Sequence, residues 1–545
     1  MIKIIKKQPV LSICLFTAIM LLPNLDVINV SIMEARNFIT AREMVQDGNW
    51  LLTTMNGEAR YEKPPLPTWL TAVSGMVFGL KSVFGLRLPA ILFIMLLAVS
   101  VFKISMLLVK DKTQSLQHAG IAITSFYIIG ITIEAPWDIF THGFMCFAIY
   151  QLFLLFEKDK KYWKHTLIAG CFIGLSFLSK GPISMYALML PFLLAYGFTY
   201  KFKHLKAKAF SYLSVLILAL VVGGWWYVYV RFQDPATFTA ITEKETSNWS
   251  SYNIRPFYYY WSFFVQSGLW TIPAFISLLY PYLKSRVNHL KAYRFSLLWT
   301  LFAVVLLSVI PEKKSRYLMP VLIPLAINIG FYIDYLIRRF KIMTDARETI
   351  PVYFNFGFIA CIGLAFPVLA YVFLQENISS HWFSYILASI VLVTIGVFIL
   401  LYLKRKNMTM VFRLTVLFFA SIIVTALPLS EGFTSETYHP ISTLKDEVKS
   451  EGIKMYGTNY ISPEMLWYYG GKIPFISLHE GLESFPKEKT FGLLTKDPID
   501  KVTLNKLEEN FQIEKITTYN LNRVSKASKQ YNDRLLNVYY IFEKK

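Results

Sequence analysis

The chain has 545 residues, 55% of them hydrophobic, 16% aromatic and only 17% charged, with a mean hydropathy of +0.44. An average soluble domain is about 45–50% apolar and about 25% charged, so a wholly soluble fold is excluded and a polytopic α-helical membrane protein is predicted. The formal net charge of +20 does not point to nucleic acid, because the cations sit in short clusters between apolar runs and not on one patch.

Apolar runs of about twenty residues, each long enough to cross a hydrocarbon core of about 30 Å as a helix, recur as far as residue 428. Helices are predicted near 9–29, 84–109, 117–134, 138–156, 164–179, 183–200, 209–230, 262–283, 294–310, 317–337, 351–374, 382–402 and 411–428, which makes about thirteen crossings. The first run follows a basic start but lacks a small-x-small cleavage site, so it reads as a membrane helix and not as a signal peptide. The clusters IKIIKK (2–7), KDK (110–112), EKDKKYWK (157–164), KFKHLKAK (201–208), KSRVNHLKAYR (284–294), IRRFK (337–341) and LKRK (403–406) fall at every second loop. The positive-inside rule makes those loops cytoplasmic. The N-terminus is then cytoplasmic and the C-terminus extracytoplasmic. Cys14, Cys146, Cys171 and Cys361 all lie in apolar runs without metal-ligand spacing and read as small buried hydrophobes.

The external loops carry the unusual residues. The first, 30–83, opens with SIMEARNFITAREM, where Phe38, Ile39, Met44 and Val45 form one apolar side of a helix suited to the membrane interface. Glu34 there is either part of a solvated face or a carboxylate capping a cavity mouth and usable as a base. The same loop ends in Tyr61-Glu62-Lys63-Pro64-Pro65, where two prolines hold Lys63 extended. That Glu-Lys pair suits a cation on the carboxylate and a phosphate on the ammonium, or is a plain rigid turn.

Further along, EAPWDIFTHGF places Asp138 at the start of a helix, where the dipole favours a carboxylate, with His142 one turn deeper. Ionisable residues inside a membrane bundle are functional candidates, against the plain reading of a helix-terminal acid and a hydrogen-bonded histidine. Lys180 in LSKGP, Arg255 in IRPFYYY after the second long loop's start (231–261), and Lys313, Lys314, Arg316 and Tyr317 in PEKKSRY add cations and a phenol at the same surface. They suit either one bound phosphate or nonspecific lipid headgroups.

After Pro428 the composition becomes that of a soluble domain. Strand-like runs KMYGTNY, KIPFISL, KTFGLLT, IEKITTYNL and NVYYIFE alternate with the helix-compatible STLKDEVKSEG and TLNKLEENF. A transmembrane domain over 1–430 and a C-terminal extracytoplasmic α/β domain over 431–545 are predicted. No nucleotide-binding glycine-rich loop, internal repeat or low-complexity segment is visible.

Taken together, MEARNFITAREM, DGNWLLTTMNGEARYEKPPLPTWL, RLPA (87–90), EAPWD, LSKGP, RPFYYY and KSRYLMP resemble the GT-C membrane glycosyltransferases, in the branch of the aminoarabinose (lipid A) transferases and, more distantly, the protein O-mannosyltransferases. Order and spacing agree over about residues 30–330. The resemblance implies transfer of a sugar from a polyprenyl-phosphate carrier to a glycolipid, glycan or protein acceptor, with inversion, in a bacterial inner (plasma) membrane and without a nucleic-acid partner. It implies Glu34 and Asp138 as catalytic carboxylates, Glu62 as ligand of a divalent metal cation, and Lys63, Arg255 and Tyr317 as contacts for the carrier phosphate; Lys180 and Arg316 are the further cations expected at the same surface to bind substrate or carrier phosphate. The family's usual Asp-Glu pair is Met33-Glu34 here, and its histidine in the second long loop has no counterpart, with Glu243 and Glu245 as substitutes. The competing expectation is a lipid or solute transporter, which requires charges near mid-bilayer and a repeat between halves.

Overall fold

The computed structural model describes residues 7–134, 136–458, 460–478 and 485–545. Most of the IKIIKK cluster and Ala135 of EAPWD lie outside the described residues. The chain folds as two compact units. One takes the chain up to Val27, Tyr61–Pro67 and Arg87–Leu429; the other takes Ile28–Arg60, Thr68–Leu86 and Ser430–Lys545.

The first unit is a helical bundle. Among the described residues eight helices are long and apolar enough to cross a membrane: Val83–Val109, Pro136–Glu157, Ala209–Gln233, Leu290–Val309, Ser315–Ile342, Ala346–Leu374, Ile378–Lys404 and Met408–Phe433. A ninth is Lys112–Ile123 with Phe126–Glu134 if that pair, bent by 49°, counts as one span. The protein is therefore a multi-pass membrane protein. The remaining predicted segments are also helical, but shorter or interrupted. Pro9–Leu21 and Met185–Thr199 are short apolar helices. Residues 262–283 are not one helix: Phe263–Trp270 is 3-10, Gly268 turns the chain at a φ of 67°, and the short helices Thr271–Ser277 and Tyr280–Leu283 follow. Pro273 and Pro281 each remove an amide that a continuous helix would need.

The second unit is built on a five-stranded sheet of order β4-β3-β5-β7-β6. The strands are β3 Lys454–Thr458, β4 Phe475–Ile476, β5 Thr490–Thr495, β6 Phe511–Asn520 and β7 Leu536–Lys544; a separate hairpin pairs β1 Thr54–Met55 with β2 Glu58–Ala59. Strand β3 runs parallel to β4 and β5, while β7 is antiparallel to both β5 and β6. All five predicted strands are present, with helices Leu444–Ser450 and Lys501–Glu508 where helix-compatible segments were expected.

The helix Ile32–Asp47 belongs to this second unit and corrects one expectation. Its apolar residues do not lie on a membrane interface. Phe38, Ile39 and Met44 are at most 1% exposed, and Phe38 stacks edge-on against Trp467 with centroids 5.2 Å apart. Val30, Ala35, Phe38 and Ile39 share one core with Met465, Leu466, Ile473 and Leu494 of the C-terminal segment. The polar side is buried as well: Asn37 donates to Thr71 at 2.8 Å and accepts from Thr68 at 2.7 Å. An amphipathic pattern is satisfied by any apolar surface, and here that surface is protein.

Candidate functional site

In the first unit the charged residues singled out from sequence meet around Asp138. Pro136, whose missing amide costs nothing at a helix start, opens the helix Pro136–Glu157, and Asp138 falls in its first turn, 2% exposed. The Lys180 ammonium is hydrogen-bonded to Asp138 Oδ1. Lys180 is the last residue of the helix Trp163–Lys180, which stops because Gly181 adopts a φ of 76° that residues with a Cβ avoid. His142 Nε2 lies 3.9 Å from the same carboxylate oxygen. Asp138 Oδ2 and His142 Nδ1 are buried without a hydrogen-bond partner among the described residues.

The turn before Met319 adds the next layer. The Lys180 ammonium stands 5.5 Å from the centre of the Tyr317 ring, a cation–π contact. Arg316 lies 5.9 Å from the same ring and has its Nε buried without a partner among the described residues. Lys63 and Arg316 are both close enough to act electrostatically on Lys180, and Tyr317 is close enough to feel Asp138. Four of the five predicted phosphate contacts, Lys63, Lys180, Arg316 and Tyr317, thus converge with Asp138. The geometry is one carboxylate under several cations, so the cluster carries a net positive charge suited to an anion.

The fifth, Arg255, joins through its main chain: its amide donates to Pro311 O at 3.2 Å and its carbonyl accepts from Lys313 Nζ at 3.1 Å. Its side chain is exposed. Lys313 also donates to Ile310 O at 2.5 Å and so pins the turn. Lys314 pairs with Glu312 at 2.5 Å. These two lysines shape the loop that presents Arg316 and Tyr317.

Lys63 is not bare. It pairs with Glu245 at 3.3 Å, on the helix Pro235–Ser251. That helix is held a second time near its start, where Tyr61 Oη donates to Asp234 Oδ2 at 3.1 Å. Burial, together with the bond to Asp234, pushes the Tyr61 hydroxyl up to about 12. Asp234 is held below its ordinary range, chiefly by its hydrogen bond with Thr237, whose amide it caps at 3.3 Å. Sequence reasoning had Glu245 as a substitute metal ligand and did not see Asp234 at all.

Glu34 lies in the second unit. It is 1% exposed and is the third residue of a capping box: its amide donates to Ser31 Oγ at 3.1 Å, and its Oε2 accepts from the Ser31 amide at 3.0 Å. Nearby, Glu43 organises the β1–β2 hairpin, accepting from Thr54 Oγ1 at 2.6 Å and from the amides of Asn56 and Gly57 at 2.7 and 3.2 Å. The Asn56 side chain then bonds both the carbonyl and the amide of Ile473, each at 2.8 Å. Glu43 is one of the charged residues of the first loop's opening run, but the hairpin it organises was not expected, although Asn-Gly between Met55 and Glu58 is a strong hairpin signal.

A divalent cation does not fit the side chains present. Among the described residues no three His, Cys, Asp or Glu side chains converge as metal ligands would. Asp138 is already met by an ammonium, and Glu62 is exposed. No step below is routed through a metal.

Comparison with known proteins places these features. The sequence model of the family described as dolichyl-phosphate-mannose-protein mannosyltransferase matches residues 62–227. An undecaprenyl phosphate-alpha-4-amino-4-deoxy-L-arabinose arabinosyl transferase of Proteus mirabilis is 26% identical over 315 residues, 56% of each chain. A protein of the same name from Pectobacterium atrosepticum is 26% identical over 347 residues, 62% of this chain and 60% of its own. The matched stretch thus covers roughly three fifths or less of these curated relatives. The crystal structure of ArnT from Cupriavidus metallidurans bound to undecaprenyl phosphate superposes with a TM-score of 0.66 over 98% of this chain and 97% of that one, at 14% identity. Its apo form gives 0.65 at 15% identity. Such identities speak for the fold, and the fold is shared along nearly the whole chain. Family match, sequence relatives and architecture agree in direction: part of the chain is similar in sequence to the protein mannosyltransferase family and to the aminoarabinose transferases, and nearly all of it shares the fold of ArnT.

Proposed function

We propose that this protein transfers a sugar from a polyprenyl-phosphate carrier to an extracytoplasmic acceptor, a lipid A-like glycolipid, a polysaccharide or a protein, at a bacterial inner membrane. The observation that carries the reading is the convergence of Lys63, Lys180, Arg316 and Tyr317 on Asp138 at helix ends of a multi-pass bundle. The names of the sequence relatives supply the donor class. The basic loops orient the N-terminus to the cytoplasm and the C-terminal domain to the outside.

The chemistry follows from the residue types. Breaking the bond between the anomeric carbon and the carrier phosphate leaves negative charge on that phosphate. Lys63, Lys180 and Arg316 stabilise it as it develops, in a setting where most of the surrounding water is excluded. Asp138 orients the Lys180 ammonium. Inversion requires a base that takes the proton from an acceptor hydroxyl as that hydroxyl attacks the face opposite the departing phosphate, and the motif resemblance assigns this role to Glu34.

The test is transfer from a labelled undecaprenyl-phosphate sugar by the purified protein with envelope acceptors, for wild type, Lys63→Ala and Asp138→Ala. Label entering an acceptor with wild type alone supports the assignment, and the product names the acceptor. Carrier-linked sugar that is moved across vesicles but never consumed would replace it with the transporter.

A further inference from the structure

Twelve residues, about 18 Å, along the helix Pro136–Glu157 from Asp138, at Tyr150, the first unit has a groove of about 760 Å³ beside the Lys110–Lys112 turn. Its walls come from Gln8 and Leu11 at the start of the first helix, from Lys103 and Met106, and from Lys112 and Tyr150. Two chemistries meet there. One side is apolar, formed by Leu11, Met106 and their neighbours. The other presents two ammonium groups, and among the described residues no carboxylate lines the groove. The acid nearest in sequence, Asp111, is engaged: its side chain caps the helix Lys112–Ile123, accepting from the Gln114 amide at 2.6 Å.

Lys103 is the telling residue. It lies six residues before the end of the membrane-spanning helix Val83–Val109, about 9 Å along the axis from that end. An ammonium at that depth is costly unless it reaches the headgroup layer or meets an anion. Lys112 sits just past the turn, beyond the end of that helix. A phosphate held between the two would answer both charges, and an attached acyl chain would cover the apolar wall. A free phosphate would leave that wall uncovered.

We infer that this groove binds an anionic phospholipid of the surrounding leaflet, with the phosphate between Lys103 and Lys112 and one acyl chain along Leu11 and Met106. Gln8 and Tyr150 offer hydrogen bonds to the ester region. Basic pockets between membrane helices are suited to such headgroups. The lipid joins the first helix to the bundle, so its binding stabilises the assembled protein.

The experiment is native mass spectrometry of the full chain in detergent, titrated with phosphatidylglycerol, with phosphatidylcholine of the same acyl chains, and with undecaprenyl phosphate. Wild type is expected to retain phosphatidylglycerol about tenfold to thirtyfold more tightly than phosphatidylcholine, the preference two lysines supply. Lys103→Gln with Lys112→Gln is expected to abolish that preference, together with the rise in melting temperature that phosphatidylglycerol gives. Leu107→Trp narrows the apolar wall and keeps both lysines; it is expected to weaken retention too, and it decides the matter if the double variant does not fold. Equal retention of the two phospholipids by wild type, undiminished phosphatidylglycerol binding in the variants that fold, or its displacement by undecaprenyl phosphate overturns the inference.

Discussion

The Lys180 ammonium donates to one oxygen of Asp138, and the other oxygen of that carboxylate is buried with no hydrogen-bond partner among the described residues. A buried pair of this kind is a weak source of net stability, but removing one member strands the other. It also fixes where the lysine points. Asp138 is in that sense a positioning residue for a cation of the site.

Lys180→Met is therefore expected to destabilise the bundle by about 3–5 kcal/mol, read as a large fall in melting temperature in detergent. Lys180→Met combined with Asp138→Asn is expected to regain most of that loss while leaving sugar transfer abolished. A double variant as unstable as the single one would mean that Lys180 packs the bundle independently of Asp138.

Lys63 is shared between the site and Glu245, 3.3 Å away and partly exposed. An exposed pair of this kind is worth about 0.2–1 kcal/mol. Glu245→Gln is accordingly expected to tighten undecaprenyl phosphate binding by up to about fivefold. Lys63→Ala removes a charge-assisted contact and is expected to weaken it by about 10–150-fold. Equilibrium binding of the carrier phosphate measures both, and a Glu245→Gln protein that binds less tightly contradicts the arrangement.

Glu34 can be separated from its structural duty. Glutamine serves in the third position of a capping box as glutamate does, so Glu34→Gln should keep the wild-type melting temperature. Ser31→Ala, which breaks the box from the other side, is expected to cost about 1 kcal/mol. If Glu34 takes the acceptor's proton, kcat in Glu34→Gln falls by about 10²–10⁴-fold with little change in KM. Full activity in that variant would reduce Glu34 to a helix cap.

The tether between Tyr61 and Asp234 has a defined pH window. Tyr61 stays neutral up to about 12, so it remains a donor throughout the physiological range. Asp234 has a carboxyl held below its ordinary value in the fold. Its contribution is complete above about pH 4 and is lost as pH falls through the lower folded value. Acidification below about pH 4, or Tyr61→Phe at neutral pH, is expected to speed hydrogen exchange in the helix Pro235–Ser251. Neither should unfold the bundle.

Much of this was legible in the sequence, for identifiable reasons. Apolar length is a local property, so eight of the thirteen expected spans appeared directly, whereas 262–283 is broken by Gly268, Pro273 and Pro281. The five strands of the C-terminal segment are short β-branched and aromatic runs between turn residues, the pattern that marks strands most plainly. The short helix Pro463–Tyr469 was missed although its signals are present: Ser462 accepts from Met465 N at 3.3 Å, proline follows it, and Gly470 closes the helix. At the site, motif residues gave Asp138, Lys63, Lys180, Arg316 and Tyr317. Their neighbours were not legible, because Lys63–Glu245 and Tyr61–Asp234 span more than 170 positions and neither partner stands in a motif.

The threading of the second unit also sets an order of assembly. Its core helix, Ile32–Asp47, is synthesised near the beginning, whereas the residues that share a core with Phe38 and Ile39, Trp467 of the helix Pro463–Tyr469 among them, come from Ser430–Lys545, about 340 residues after Leu86. At about 5–20 residues per second the helix waits roughly 20–70 s for its partner to be synthesised. During that interval its apolar surface is open to chaperones and proteases, and a chain terminated before residue 430 never closes it. Premature termination therefore leaves a degradation signal at the opposite end of the polypeptide.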